Sequence, residues 1–112
     1  MNELDKFEYV NELYEIYKNL LTDKQIFIMD KYYVYDLSLS EISEELGISR
    51  NAISDTINKV KKKLVNYESS LHLLAKINKI KDIIAKETLT EEDKKKIIEV
   101  LYYGIWSIKW KI

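Results

Sequence analysis

Between positions 50 and 62 the chain places Arg50, Asn51, Ser54, Asp55, Asn58, Lys59, Lys61 and Lys62 at helical spacing. Arginine and asparagine are the side chains that make paired hydrogen bonds to the edges of guanine and adenine, and serine contacts either base. Lysines neutralise phosphate and carry no base information. Asp55 has the geometry to accept from cytosine N4, although its charge also repels phosphate. With Ile53, Ile57, Val60 and Leu64 facing inward, Arg50, Ser54, Asn58 and Lys61 form one outward row, and Asn51, Asp55, Asn58 and Lys62 form its neighbour. The chemistry predicted is base reading flanked by phosphate contact. Lys63 adds a further lysine to the same run.

Such a row needs a fixed helix, and the residues before it supply one. Ser38 and Glu41 have capping-box spacing and open a helix with Ile42 and Leu46 inward. Gly47 provides a left-handed terminus, and Ser49 is a good N-cap for the helix that follows at once. Ser43 is small where the second helix crosses, Ala52 is small where it packs back, and Ile48 and Ile53 lock the pair. Two helices joined this way form a helix-turn-helix, whose second helix commonly enters the major groove. The plainer alternative is an ordinary α-bundle in which Gly47 merely ends a helix and KVKKKL is a solvated face. Helix-turn-helix folds also serve as protein-binding modules.

The rest of the chain reads as helix. Leu4, Phe7, Val10, Leu13, Tyr14, Tyr17, Leu20 and Leu21 predict a first helix over residues 3–21. Thr22 and Gln25 predict the cap of a second, with Ile26, Met29, Tyr32 and Tyr33 inward and an end near residues 35–36. After Leu64 the apolar steps continue through Tyr67, Leu71, Leu74, Ile77, Ile80 and Ile84, either as one long rod or with a bend near residues 68–70. The stripe lapses over residues 85–88, the expected hinge. Thr90, with Glu91, Glu92 and Asp93 behind it, starts the last helix. That helix carries Ile97, Ile98, Leu101, Tyr102, Ile105, Trp106, Ile108, Trp110 and Ile112, either packed on the core or in a dimer seam, or exposed as an aromatic surface for a partner or membrane. The expected fold class is all-α: a helix-turn-helix domain at residues 1–68, with its motif at 22–64, and a C-terminal helical extension at 69–112. The extension suits a homodimer or partner surface.

Composition excludes much. There is no proline, no cysteine, two glycines and one histidine among 112 residues, so disulfides, thiol chemistry and a multi-histidine metal site are ruled out, and no catalytic triad is expected. His72 reads as structural, and Glu41, Glu44 and Glu45 read as a solvated face. No enzyme activity and no cofactor are expected. The formal net charge of −1 conceals an asymmetry: residues 1–21 carry five acids against two lysines, whereas residues 49–64 carry five cations against Asp55 alone. No apolar run approaches a membrane span and the N-terminus lacks signal-peptide layout, which predicts a cytoplasmic protein. The tyrosines fall on or beside apolar faces and suit packing. An RNA-stacking platform needs aromatics interleaved with basic residues, and the basic helix has none.

Residues 21–64 resemble sigma-factor region 4 helix-turn-helix domains in their leading Leu-Thr pair, their Glu41-Ile42-Ser43 step and their LGISR turn. A longer pattern, LTDKQ, Tyr32-Tyr33, SRNAISD and YESSLHL, resembles the YlxM-like family of small bacterial helix-turn-helix proteins over about residues 3–86. That resemblance implies a regulatory protein associated with the signal recognition particle pathway, with the particle's GTPase or RNA as partners. It maps the recognition helix to residues 49–63, and Arg50, Asn51, Ser54, Asp55, Asn58 and Lys59 are the positions carried over. Ser54 stands where the family often has an aromatic residue, and Asn58-Lys59 is less basic than the family pattern.

Overall fold

The computed structural model describes residues 2–110, and side chains for residues 2–102. These residues form six α-helices and no strand. The first helix, α1 (Glu3–Tyr17), is capped by Asn2, whose side chain accepts from Asp5 N. It ends sooner than the apolar spacing implies, because Lys18–Leu20 tightens into a 3-10 turn. Only part of its predicted stripe is buried: Leu13, Tyr14, Tyr17 and Leu21 face inward, while Leu4 and Leu20 are exposed.

The second helix, α2 (Asp23–Met29), starts at the predicted capping box. Gln25 N donates to Thr22 Oγ1 and Thr22 N to Gln25 Oε1. Over Asp30–Val34 the helix widens into a π turn, and Asp36 at φ 56° closes it. Ile28 is buried beside Met29 and Tyr33, a position the 3.6-residue pattern did not select. The Tyr14 hydroxyl donates to Asp30 Oδ1 at 2.6 Å and to Ile26 O at 3.2 Å. Burial and the Asp30 carboxylate push the Tyr14 phenol well above its ordinary pKa.

The third helix is α3 (Leu39–Leu46), with the Ser38–Glu41 capping box formed. Glu41, Glu44 and Glu45 are all exposed, as the sequence predicts, although Glu41 is also part of a cap and Glu45 pairs with Lys31 at 2.8 Å. The fourth, α4 (Arg50–Leu71), buries Ile53, Ile57, Val60 and Leu64, as the spacing predicts.

The choice between a rod and a bend resolves as a break. His72 adopts φ 56°, and α5 (Leu73–Ile84) begins directly after it. No His72 side-chain cap forms there. Both Glu68 carboxylate oxygens instead accept from the first turn of α5, at Leu74 N (3.0 Å) and Ala75 N (3.1 Å). Residues 85–90 connect to α6 (Glu91–Trp110). Thr90 caps that helix with Asp93, whose N donates to Thr90 Oγ1 while Thr90 N donates to Asp93 Oδ2.

The described residues up to Tyr67 form one compact unit and those from Glu68 onward another. In the second unit α5 and α6 pack on each other around Leu74, Ile83 and Val100. Ile77 and Ile84, predicted inward, are exposed instead, because the helix break at His72 resets which face of α5 meets its neighbour. Leu71 at the end of α4 is exposed too, as are Ile98 and Leu101 on α6, where the sequence allows packing or exposure alike. Tyr102 is also exposed. The side chains of Ile105, Trp106, Ile108 and Trp110, and the whole of Ile112, lie outside the described residues. No helix among the described residues is long and apolar enough to cross a membrane.

Candidate nucleic-acid interface

The helix-turn-helix is built as a backbone device. Gly47 ends α3 at φ 69°, ψ 27°, and its N–H donates to Ser43 O. A Cβ at Gly47 would meet nothing within 4 Å, so glycine is required by the left-handed backbone alone. Ser43 does more than stay small, since its hydroxyl donates to Ile48 O and pins the turn to the preceding helix. Ser49 then caps α4, accepting from Ala52 N at 3.1 Å. Ile42 and Ile53 are wholly buried on either side of the turn.

This framework presents the predicted residues along one helix. Arg50, Asn51, Asp55, Asn58, Lys59 and Lys62 are exposed, while Ser54 and Lys61 are half-buried. Among the described residues, the side chains of Arg50, Lys59, Lys61 and Lys62 make no ion pair. Asp55 is likewise unpaired, although Lys59 lies one turn away. Lys63 departs from the expected phosphate role: its Nζ donates to Gln25 Oε1 at 3.1 Å, tying α4 to the capping box of α2. The lysine run thus divides, with Lys61 and Lys62 uncommitted and Lys63 structural. Among the described residues, no group of three His, Cys, Asp or Glu side chains is arranged to hold a metal.

One feature escaped the reading along single helices. Phe7 from α1 and Tyr32 and Tyr33 from the π turn form a ring cluster beside α4. Phe7 stacks on Tyr33 at 4.5 Å between centroids, and Tyr32 meets Tyr33 edge-on at 5.0 Å. These rings line a cleft of about 370 Å³ together with Lys6, Lys61 and Val65. Aromatic and basic residues absent as a linear pattern are interleaved in space. The available signal was the Tyr32-Tyr33 pair, both predicted inward, of which Tyr33 is buried and Tyr32 stays half-exposed.

His72 keeps a structural place at the α4–α5 break, in line with the sequence reading. The YESSLHL segment acquires a physical account there. Tyr67 packs against Tyr17 and its hydroxyl donates to Leu20 O, Glu68 caps α5, and His72 makes the left-handed step.

Residues 4–102 match the UPF0122 family, described as "Putative helix-turn-helix protein, YlxM / p13 like". The match extends beyond residue 86, where the motif resemblance stops. A UPF0122 protein of Mycoplasma capricolum is 42% identical over 110 residues, covering 98% of this chain and 95% of the relative. A UPF0122 protein of Bacillus thuringiensis is 38% identical over 105 residues, covering 88% and 96%. The turn geometry, the two capping boxes and a match running nearly end to end agree: the chain belongs to the UPF0122 family of YlxM / p13 like helix-turn-helix proteins.

Proposed function

We propose that the protein is a non-catalytic regulator that binds duplex DNA through the outward face of α4. Arg50, Asn51, Ser54 and Asn58 would read base edges, Asp55 would accept from a cytosine amino group, and Lys59, Lys61 and Lys62 would hold phosphates. The observation that carries this reading is the set of cations on α4 with no internal carboxylate partner, on a helix positioned by a formed helix-turn-helix. A cytoplasmic location and a homodimer, with the helical extension as its seam, go with this reading. So does the role in the signal recognition particle pathway that the YlxM-like resemblance implies.

A second reading has its own support. Lys24, Phe27, Leu46 and Ile48 border an open apolar groove, and Phe27, Val34 and Tyr35 are exposed. These residues suit a protein partner, such as the particle's GTPase, with the helix-turn-helix as scaffold.

Salt-titrated binding to random duplex DNA and to signal recognition particle RNA separates the two. Three phosphate-contacting lysines give a log–log salt slope of about −3 on duplex DNA, and Arg50→Ala/Lys59→Ala should flatten it and weaken binding at least tenfold. Absence of binding to both nucleic acids at low salt would sink the first reading and leave the protein partner.

A further inference from the structure

The aromatic cleft beside α4 has three properties that together specify an occupant. Its volume of about 370 Å³ lies in the range of small-ligand sites. Phe7 and Tyr32 remain half-exposed along it, although Tyr33 already packs against both. They offer aromatic surface without a buried core's closure. Tyr33 is itself buried, at 8% exposure, and its hydroxyl has no hydrogen-bond partner. That oxygen is closed to solvent, so Tyr33 serves the cleft as the ring that backs Phe7 and Tyr32.

The rim adds charge. Lys61 is half-buried with no ion-pair partner among the described residues; Lys6 and Glu3 also line the cleft and pair with each other at 3.6 Å, which leaves Lys61 as its uncompensated charge. A second, shallower depression of about 230 Å³ continues from the cleft, sharing Lys61 and Val65 and adding Lys62 and Asn66. Flat π surface and adjoining cations match a planar heterocycle attached to a phosphodiester. An acidic peptide would use the cations and leave the rings idle.

We propose that this cleft takes an unpaired nucleobase of a single-stranded nucleic acid, stacked against Phe7 and Tyr32, with its flanking phosphates on Lys61 and Lys62. Stacking of this kind tolerates any base, and the lysines supply the backbone attraction. The site goes beyond the major-groove reading of α4 and shares only Lys61 and Lys62 with it.

The full chain is titrated into single-stranded 10-mers, DNA and RNA, each carrying one 2-aminopurine among pyrimidines. Stacking quenches that base, so saturable quenching with either strand is expected. Phe7→Leu keeps apolar volume and removes the ring; a loss of tenfold or more, about the scale of one base–aromatic stack, is expected while circular dichroism stays native. Should that variant not fold, Tyr32→Leu decides in its place, because Tyr32 is half-exposed and supplies the second stacking ring; a severalfold loss is expected. Duplex binding is followed on the same samples. Arg50→Ala should weaken the duplex and spare the quenching, and Phe7→Leu should do the reverse. Quenching by neither strand overturns the proposal, as does quenching undiminished in the deciding variant. Strand binding without duplex binding would sink the major-groove reading and leave this one standing.

Discussion

At the residue scale, three described positions hold left-handed backbone: Asp36, Gly47 and His72. Gly47 does so without steric need for a missing side chain, so substitution there isolates the backbone term. Gly47→Ala should destabilise the fold by about 1–2 kcal/mol, the cost of an alanine in that region. Gly47→Asn should cost less, since asparagine visits it more readily. Urea titration of both variants checks the order; an alanine variant as stable as the parent would show that the turn has relaxed to another conformation. Gly47 was legible because glycine is so rare here. Asp36 and His72 were not, because aspartate and histidine, though enriched among left-handed non-glycine residues, still take negative φ at most positions; each turns left-handed where a helix must stop before a neighbouring one. Tyr33 is a further residue with a distinct signature. Burial and the neighbouring Tyr32 push its phenol up to about 12, so it should stay protonated through the alkaline range in which exposed tyrosines titrate. Difference absorbance of Tyr33→Phe against the parent measures that directly.

Among the elements, caps decide where helices begin, and they were the most readable part of the chain. Thr22–Gln25, Ser38–Glu41, Ser49 and Thr90 each form the bond that their spacing predicts. Ser49→Ala should cost about 1 kcal/mol and fray the first turn of α4, where Arg50 and Asn51 sit. Hydrogen exchange of Ala52 N reports it. The α5 cap was not readable, because its acceptor comes from Glu68, six residues ahead of Leu74 and across a helix break. Glu68→Gln should weaken α5 selectively and leave protection in α1–α3 unchanged.

The α6 cap has a pH signature. Lys86 at 2.6 Å, followed by the Thr90 hydrogen bonds, holds the Asp93 carboxyl well below the usual carboxylate range. A depressed folded-state pKa contributes stability that is complete above the unfolded value of about 3.9 and is lost as pH falls further. Acid unfolding of the α5–α6 pair should therefore steepen below about pH 4. Asp93→Asn should abolish that steepening and lower the thermal midpoint at neutral pH.

Across the whole molecule, charge and apolar surface are distributed unevenly along the chain. A near-neutral total conceals an acidic α1 and a cationic α4, so binding to any polyanion should depend on salt far more than the net charge of −1 implies. Comparing the salt slope of the parent with that of Lys61→Gln/Lys62→Gln checks this; equal slopes would remove those lysines from the interface. The all-α class and the helix-turn-helix were legible because period, caps and a rare glycine agreed. The inward face of α5 was not. A continuous apolar stripe looks the same whether a helix runs on or is re-phased at one residue, and His72 re-phases it. The aromatic cleft was hidden for a related reason, since its rings and lysines come from separate elements and meet only once α1, the π turn and α4 are packed.

The lysine run carries a final consequence. Lys61, Lys62 and Lys63 are chemically identical neighbours, yet successive residues on a helix point about 100° apart. Gln25 Oε1 receives both the Thr22 N–H and the Lys63 ammonium at 3.1 Å. Acetylation removes a lysine's charge and its capacity for charged pairing. On Lys61 or Lys62 it would act as a dial on ligand affinity with the fold intact. On Lys63 the same modification would loosen the junction between α2 and α4. A single enzymatic mark, displaced by one residue, would pass from tuning occupancy to tuning the protein's lifetime.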